Sequence, residues 1–135
     1  MTITVHHLNQ SRSLRILWLL EELETPYSIT TYQRHRTTMR APKALRDIHP
    51  LGKSPVVTLD DGTVLAESGA IVDELVDRFG PQLRPEPGTD AFRLYRYFLH
   101  YAEGSLMPPL LVKLIMSRVE NAPIPGREWP WLRDR

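Results

Sequence analysis

The sequence predicts an α/β fold, a small mixed sheet with helices on its faces, followed by a partial all-α region. Two observations support this prediction. Over residues 1–80, stretches that alternate like strands are interleaved with stretches at helical spacing, in the order β-α-β-α-β-β-α. Between residues 89 and 120, only helical spacing is found. A chain of 135 residues has room for one ordinary domain, or for one small domain and a fragment of a second.

The first three elements are expected to form a β-α-β unit. Residues 2–7, TITVHH, alternate apolar and polar side chains, and residues 27–32, YSITTY, have the β-branched character of a second strand. Residues 11–24 between them are helical in pattern. This helix ends before Pro26, because the residue that precedes a proline avoids helical geometry. Two strands joined by a helix are expected to be parallel.

The predicted helix over residues 11–24 is strongly apolar. Leu14, Leu17 and Trp18 follow the spacing of one helical face and predict a buried stripe. Four further apolar side chains widen this stripe: Ile16, Leu19, Leu20 and Leu23. The helix is therefore expected to be buried on more than one side.

The next elements complete the sheet. Residues 42–48 predict a short helix, and Pro55 opens a third strand, at a position where proline is tolerated. Asp61-Gly62 supplies turn residues for a hairpin whose return strand is residues 64–66. Residues 68–79 again have helical spacing.

The rest of the chain predicts a linker and a helical region. Residues 81–88, PQLRPEPG, hold three prolines and one glycine, a composition typical of linkers. Helical spacing resumes at Thr89, and Pro108-Pro109 is expected to break or bend the helix. The predicted organisation is thus a first domain over residues 1–80, the linker, and a truncated helical domain over residues 89–135.

The composition disfavours several classes of function. The net charge is +1, from 17 basic and 16 acidic residues, so no global field favours nucleic acid or an anionic membrane as a partner. A modest basic cluster over residues 34–40 is interpreted as a solvated loop. The chain has no cysteine, which excludes disulfides and thiolate metal sites. Because His6 and His7 are neighbours on one strand, their side chains point to opposite faces, and no metal site is expected.

The expected location is the cytoplasm. No run of about 18 or more apolar residues is present, so no membrane-spanning helix is predicted. The first residues, MTITVHHL, lack a basic start followed by a long apolar run, so no secretory signal is expected.

The order βαβαββα, with a proline opening the third strand, resembles the thioredoxin-like fold, in which this proline is cis. The details resemble the glutathione transferase family from about residue 3 to about residue 120. This resemblance rests on the stretches SRSLRILWLLEEL, HPLGKSPVV and DDGTVLAESGAIVDEL, and on the proline-rich linker before an aromatic helix. It implies a detoxification enzyme, usually a homodimer, that activates the thiol of glutathione for attack on small electrophiles. Glutathione is then a co-substrate, and no bound cofactor is expected.

The resemblance implies a catalytic role for Ser11, which follows the first strand at the start of the first helix. A free thiol has a pKa of about 8.5, so the enzyme must favour the thiolate. A hydroxyl that donates a hydrogen bond to the sulfur does so, and the positive end of a helix dipole helps. Ser13 and Asn9 are alternative contacts of the thiol. Serine is also a preferred N-cap residue, so helix capping is the competing interpretation of Ser11.

The resemblance also implies five residues that bind glutathione. Glu67 suits the ammonium of the γ-glutamyl group, and the Ser68 hydroxyl with the N–H groups of a helix start suits its carboxylate. Lys53 would pair with the glycine carboxylate, and the backbone of Ser54, before cis-Pro55, would bond the cysteine backbone of the tripeptide. The competing interpretations are a helix cap preceded by an exposed acid, and a plain surface lysine.

Two hypotheses of function follow. The first is a glutathione transferase. The second is a non-catalytic glutathione-transferase-like binding module, inactive because the helical domain over residues 89–135 is shorter than the resemblance implies. A glutaredoxin-like oxidoreductase is disfavoured because the chain has no thiol.

Overall fold

The computed structural model describes the backbone of residues 2–119 and the side chains of residues 2–117. The part of the predicted helical domain beyond Val119 lies outside these described residues. Within them the chain forms four strands and five α-helices: β1 (Ile3–Leu8), α1 (Leu14–Glu22), β2 (Tyr27–Tyr32), α2 (Lys43–Ile48), β3 (Val56–Thr58), β4 (Val64–Ala66), α3 (Ser68–Phe79), α4 (Asp90–Tyr101) and α5 (Met107–Val119).

The four strands form one mixed sheet in the order β2-β1-β3-β4. β1 and β2 are parallel, with Ile3 opposite Tyr27, which confirms the predicted β-α-β unit. β3 runs antiparallel to β1, with Val57 opposite Val5, and antiparallel to β4, with Val57 opposite Leu65. The predicted α/β architecture and the hairpin of β3 and β4 are therefore confirmed.

The main core lies on the face of the sheet that α1 and α3 cover. Burying a side chain of this size contributes roughly 1.5–3 kcal/mol, so this cluster is the chief source of stability in the first part of the chain. Its buried members come from β1, β3 with the residue after it, and the two helices: Ile3, Val5, Ile16, Leu20, Val57, Leu59, Ile71 and Leu75.

The burial of α1 differs from the sequence prediction. The helix begins at Leu14, three residues later than predicted, and Leu14 and Trp18 are 64% and 69% exposed instead of buried. Ile16 and Leu20 form the buried face. Positions two apart on a helix point in nearly opposite directions. A helix that is apolar nearly all round therefore leaves the choice of buried face to its packing on the sheet.

The described residues separate into two compact units at the junction of Tyr97 and Phe98. In the first unit, a short 3-10 turn, Pro81–Leu83, follows α3 within the segment predicted as a linker. The division into a domain, a linker and a helical domain stays a prediction.

In the second unit, the helix changes character where the two prolines were expected to break it. A π-helical turn, Ala102–Leu106, separates α4 from α5. Pro108 and Pro109 follow Met107 in the first turn of α5, where a missing N–H is tolerated. The interruption thus lies just before the prolines. No helix within the described residues combines the length and the hydropathy needed to cross a lipid bilayer.

Candidate functional site

The loop between β1 and α1 holds the predicted catalytic serine. Ser13, with helical backbone angles, occupies the N-cap position of α1, and its side chain makes no capping hydrogen bond. Ser11 lies two residues earlier, and its Oγ accepts a hydrogen bond from the Ser13 N–H at 3.3 Å. The N-cap of α1 is therefore Ser13 and not Ser11.

Ser11 belongs to a cluster of three serine hydroxyls. Its Oγ lies 2.8 Å from Oγ of Ser13 and donates to Oγ of Ser54 at 3.2 Å. Ser54 in turn donates to the carbonyl of His6 at 2.9 Å. Ser13 is fully buried, whereas Ser11 and Ser54 are half-buried. These bonds join the loop after β1 to the residue that precedes Pro55.

His7 extends this cluster on its inner side. Its Nδ1 lies 2.8 Å from Oγ of Ser13. Sequence reasoning considered His7 only as a metal ligand and missed this contact. A signal was present, because the alternation of β1 places His7 on the same face as Ile3 and Val5, which α1 covers.

His6 points to the other face of the sheet and is buried. Its Nδ1 lies 3.1 Å from the Tyr32 hydroxyl, and its Nε2 lies 2.9 Å from Oγ1 of Thr58. Burial lowers the pKa of His6, because desolvation penalises the charged form of the ring. Among the described residues, no group of three or more histidine or acidic side chains could hold a metal ion.

Asn9 and Arg34 fix the loop that carries Ser11. The Asn9 side chain accepts a hydrogen bond from the Arg34 N–H at 2.7 Å, and Arg34 Nε donates to the Asn9 carbonyl at 3.0 Å. Gln10, between Asn9 and Ser11, has a left-handed φ of 53°. The predicted solvated loop is exposed at His35, Arg36 and Arg40, whereas Arg34 is half-buried. Its bonds to the loop backbone explain why the loop holds this conformation.

One cavity brings together the five predicted glutathione-binding residues. They come from the turn before β3 and from the start of α3, segments that the sheet places side by side. Arg12 also lines this cavity, and sequence reasoning missed it, although it directly follows Ser11. The complete lining is Arg12, Leu51, Lys53, Ser54, Pro55, Ala66, Glu67 and Ser68.

Backbone geometry shapes two walls of this cavity. The peptide bond between Ser54 and Pro55 is cis. Glu67, the N-cap of α3, has a φ of 74°, a region that non-glycine residues adopt at a cost of about 1–3 kcal/mol. Such strain is concentrated at ligand sites. Ser68 is the first residue of α3 and is buried, so the N–H groups of the helix start lie at this wall.

The charges of the cavity have a definite pattern. Arg12 and Lys53 supply two cations, and Glu67 supplies an anion. The N-terminus of α3 adds a partial positive charge and N–H donors, which favour a carboxylate. A small ligand with carboxylates and one ammonium suits this arrangement.

Two curated fungal proteins are similar to this chain. Glutathione S-transferase 3 of Schizosaccharomyces pombe is 47% identical over 107 residues, which cover 78% of this chain and 43% of the relative. Glutathione S-transferase 1 of Saccharomyces cerevisiae is 39% identical over 129 residues, which cover 91% of this chain and 55% of the relative. The chain therefore spans about half the length of the curated relatives it matches.

The solved structure of a glutathione S-transferase from Actinobacillus pleuropneumoniae has the same fold. Its TM-score is 0.81 at 36% identity, and the match covers 98% of this chain and 58% of the other. The family described as "Glutathione S-transferase, N-terminal domain" matches residues 11–78, slightly more than half of the chain. These matches confirm the predicted thioredoxin-like fold with a helical region after it. The chain belongs to the glutathione S-transferase family.

Proposed function

We propose that this chain binds glutathione in the cavity between Arg12 and Ser68 and activates its thiol for attack on small electrophiles. One observation carries the proposal. Three segments far apart in sequence, at Ser11, at Lys53 to Pro55 and at Glu67 with Ser68, meet around one cavity and one hydroxyl cluster. The family of the chain supports glutathione as the ligand.

The charge pattern of the cavity supports a binding mode for the two ends of glutathione. Glu67 would accept the γ-glutamyl ammonium, while the Ser68 hydroxyl and the start of α3 would bind the adjacent carboxylate. Lys53 would pair with the glycine carboxylate. Arg12, which also lines the cavity, adds a second cation for the two carboxylates.

Ser11 would favour the thiolate by donating a hydrogen bond from its hydroxyl to the sulfur, with the proton remaining on Ser11. Its present hydrogen bond to Ser54, at 3.2 Å, is longer than the typical O–H···O distance of about 2.7–2.8 Å. A bound sulfur can therefore displace Ser54 as the acceptor at little cost. A hydrogen bond to a charged group contributes about 1.5–3 kcal/mol, and each 1.4 kcal/mol or so lowers the thiol pKa by about one unit.

The second candidate function is a non-catalytic module that binds glutathione only. It is supported by the lining of the cavity, which suits glutathione and includes no residue of α4 or α5. The resemblance to the family implies that the electrophile site would also involve the helical domain.

The test is the rate of conjugation of glutathione to a generic aromatic electrophile, with Ser11→Ala as the variant. The transferase proposal predicts turnover in the wild type and a loss of about ten- to a hundredfold in Ser11→Ala, because one hydrogen bond to a charged sulfur is removed. Ser28→Ala, on an exposed serine of β2, is the matched control and should leave the rate unchanged.

Calorimetric titration with glutathione separates the two candidates. Binding without turnover in the wild type would favour the binding module. Equal rates in the wild type and in Ser11→Ala would contradict the role of Ser11.

A homodimer, a cytoplasmic location and a role in detoxification belong to the same proposal. The dimer is supported by large apolar side chains of α5 that are exposed in the single chain: Leu110, Leu111, Val112, Leu114 and Ile115.

A further inference from the structure

We propose that His7 is a positioning residue for Ser11. By donating a hydrogen bond from Nδ1–H to Ser13, it orients the serine hydroxyls so that the proton of Ser11 points at the sulfur of glutathione. This inference rests on the proposed function, since it takes Ser11 as the group that contacts the thiol.

The geometry that carries the inference is an unbroken chain of short contacts. Nδ1 of His7 lies 2.8 Å from Oγ of Ser13, which lies 2.8 Å from Oγ of Ser11. Ser13 is 0% exposed, so bulk water cannot replace either partner of its hydroxyl. Its side chain makes no capping bond to α1, and its two hydroxyl contacts are therefore the ones that fix its proton.

The donor-to-acceptor direction of these hydrogen bonds follows from counting the protons that each group can donate. Each serine hydroxyl has one proton to donate. When Ser11 donates outward, to Ser54 or to a sulfur, a proton between Ser11 and Ser13 must come from Ser13. Ser13 has then used its only proton and needs a donor at its other contact. His7 supplies this donor when Nδ1 carries a proton.

In the opposite arrangement of protons, the Ser11 hydroxyl donates to Ser13 and not toward the cavity. If Nδ1 of His7 is unprotonated, it accepts the proton of Ser13, and Ser13 then accepts from Ser11. An outward bond from Ser11 would instead leave two oxygens 2.8 Å apart with no proton between them. The protonated state of Nδ1 thus selects the direction in which Ser11 donates.

Ser54 is the last member of the hydrogen-bonded series that runs from His7 through Ser13 and Ser11. Its hydroxyl donates to the carbonyl of His6 at 2.9 Å, so toward Ser11 it acts as an acceptor. The resting protein therefore already holds Ser11 in the outward direction. The sulfur of glutathione needs only to replace Ser54 as the acceptor of the Ser11 hydrogen bond. No proton is transferred between these side chains.

The test uses two substitutions of His7 in the full chain. His7→Phe removes the donor and keeps a ring, whereas His7→Asn keeps an N–H donor near the position of Nδ1. The first readout is the ultraviolet absorbance of the thiolate of bound glutathione, followed against pH. The second is kcat and KM for glutathione in the conjugation assay. His35→Asn, on an exposed histidine, is the matched control.

The inference predicts that His7→Phe raises the apparent thiol pKa of bound glutathione and lowers kcat about three- to tenfold, the effect of one neutral hydrogen bond. KM for glutathione should change little, because the cavity residues are untouched. His7→Asn should restore most of the loss. Ser13→Ala should behave like His7→Phe, and the double variant should be no worse than either single variant.

Several outcomes would overturn the inference. One is a thiol pKa in His7→Phe equal to that of the wild type; another is a loss that His7→Asn fails to restore. If His7→Phe does not fold, Ser13→Ala provides the same comparison. An unchanged thiol pKa of glutathione bound to Ser13→Ala would then also overturn the inference.

The Ser11→Ala variant separates this inference from the proposed function. A large effect of Ser11→Ala with none of His7→Phe refutes only the role of His7. No effect of Ser11→Ala, or no binding of glutathione to the wild type, refutes the proposed function and the inference with it. The thiolate absorbance remains informative if the wild type binds glutathione without turnover.

Discussion

At the scale of single residues, Ser11 combines two uses of one hydroxyl. It accepts the Ser13 N–H just before α1, and it donates toward the cavity through Ser54. A hydroxyl has two lone pairs as well as its proton, so the first contact leaves the proton available. The structural and the catalytic interpretations of Ser11 are therefore compatible.

His6 and His7 are adjacent in sequence and differ in environment. His7 contacts the Ser13 hydroxyl on the side of α1, and His6 is buried between Tyr32 and Thr58 on the other side. Alternation along β1 predicts the opposite directions, but not the partners, because the partners of His6 come from β2 and β3. Sequence spacing cannot supply such contacts between strands.

The buried His6 predicts a pH dependence of stability. Burial lowers its pKa below the ordinary value of 6.5, so below pH 6.5 the unfolded chain binds a proton that the folded chain resists. The contribution to the free energy of unfolding is therefore absent above pH 6.5 and becomes destabilising as the pH falls from 6.5 to the lowered pKa.

Urea unfolding over a series of pH values measures this effect. His6→Gln, which does not titrate, should flatten the decline below pH 6.5, whereas His35→Gln should decline like the wild type. A decline as steep in His6→Gln as in the wild type would show that another group is responsible.

At the scale of elements, the strands were easier to predict than the faces of the helices. The alternation of β1 and the turn residues before β4 identify these strands, since period-two patterns and hairpin turns are local signals. In α1, Ile16 and Leu20 of the predicted apolar stripe are buried, whereas the prediction was wrong for Leu14 and Trp18, because packing on the sheet determines which apolar side chains are covered. Propensity and spacing contain no information about that contact.

Two leucines of α1 test this assignment of faces. Leu20 is fully buried in the core, and Leu14 is 64% exposed. Leu20→Ala should lower the free energy of unfolding by about 2–5 kcal/mol through the cavity it leaves. Leu14→Ala, the same substitution in the same helix, should change it by less than about 0.5 kcal/mol. Denaturant unfolding of the two variants measures both; equal losses would contradict the observed packing.

At the scale of the whole molecule, the candidate site is built from segments that the sheet brings together. The turn before β3 and the start of α3 were assigned to one site through the family resemblance, and the cavity contains all five of those residues. Arg12 and His7 were missed. Arg12 lies within the stretch SRSLRILWLLEEL, but that stretch was connected only with the thiol through Ser11, and His7 lies outside the stretches that carry the resemblance. The contacts of both residues depend on how the loop after β1 folds back on the sheet.

We propose that glutathione binds in this cavity with its sulfur at Ser11. A crystal structure of the protein with glutathione tests it most directly. We expect the sulfur within hydrogen-bond distance of Oγ of Ser11, the γ-glutamyl end at Glu67 and Ser68, and the glycine carboxylate near Lys53. A sulfur that contacts Asn9 or solvent instead, or a tripeptide bound outside the cavity, would contradict it.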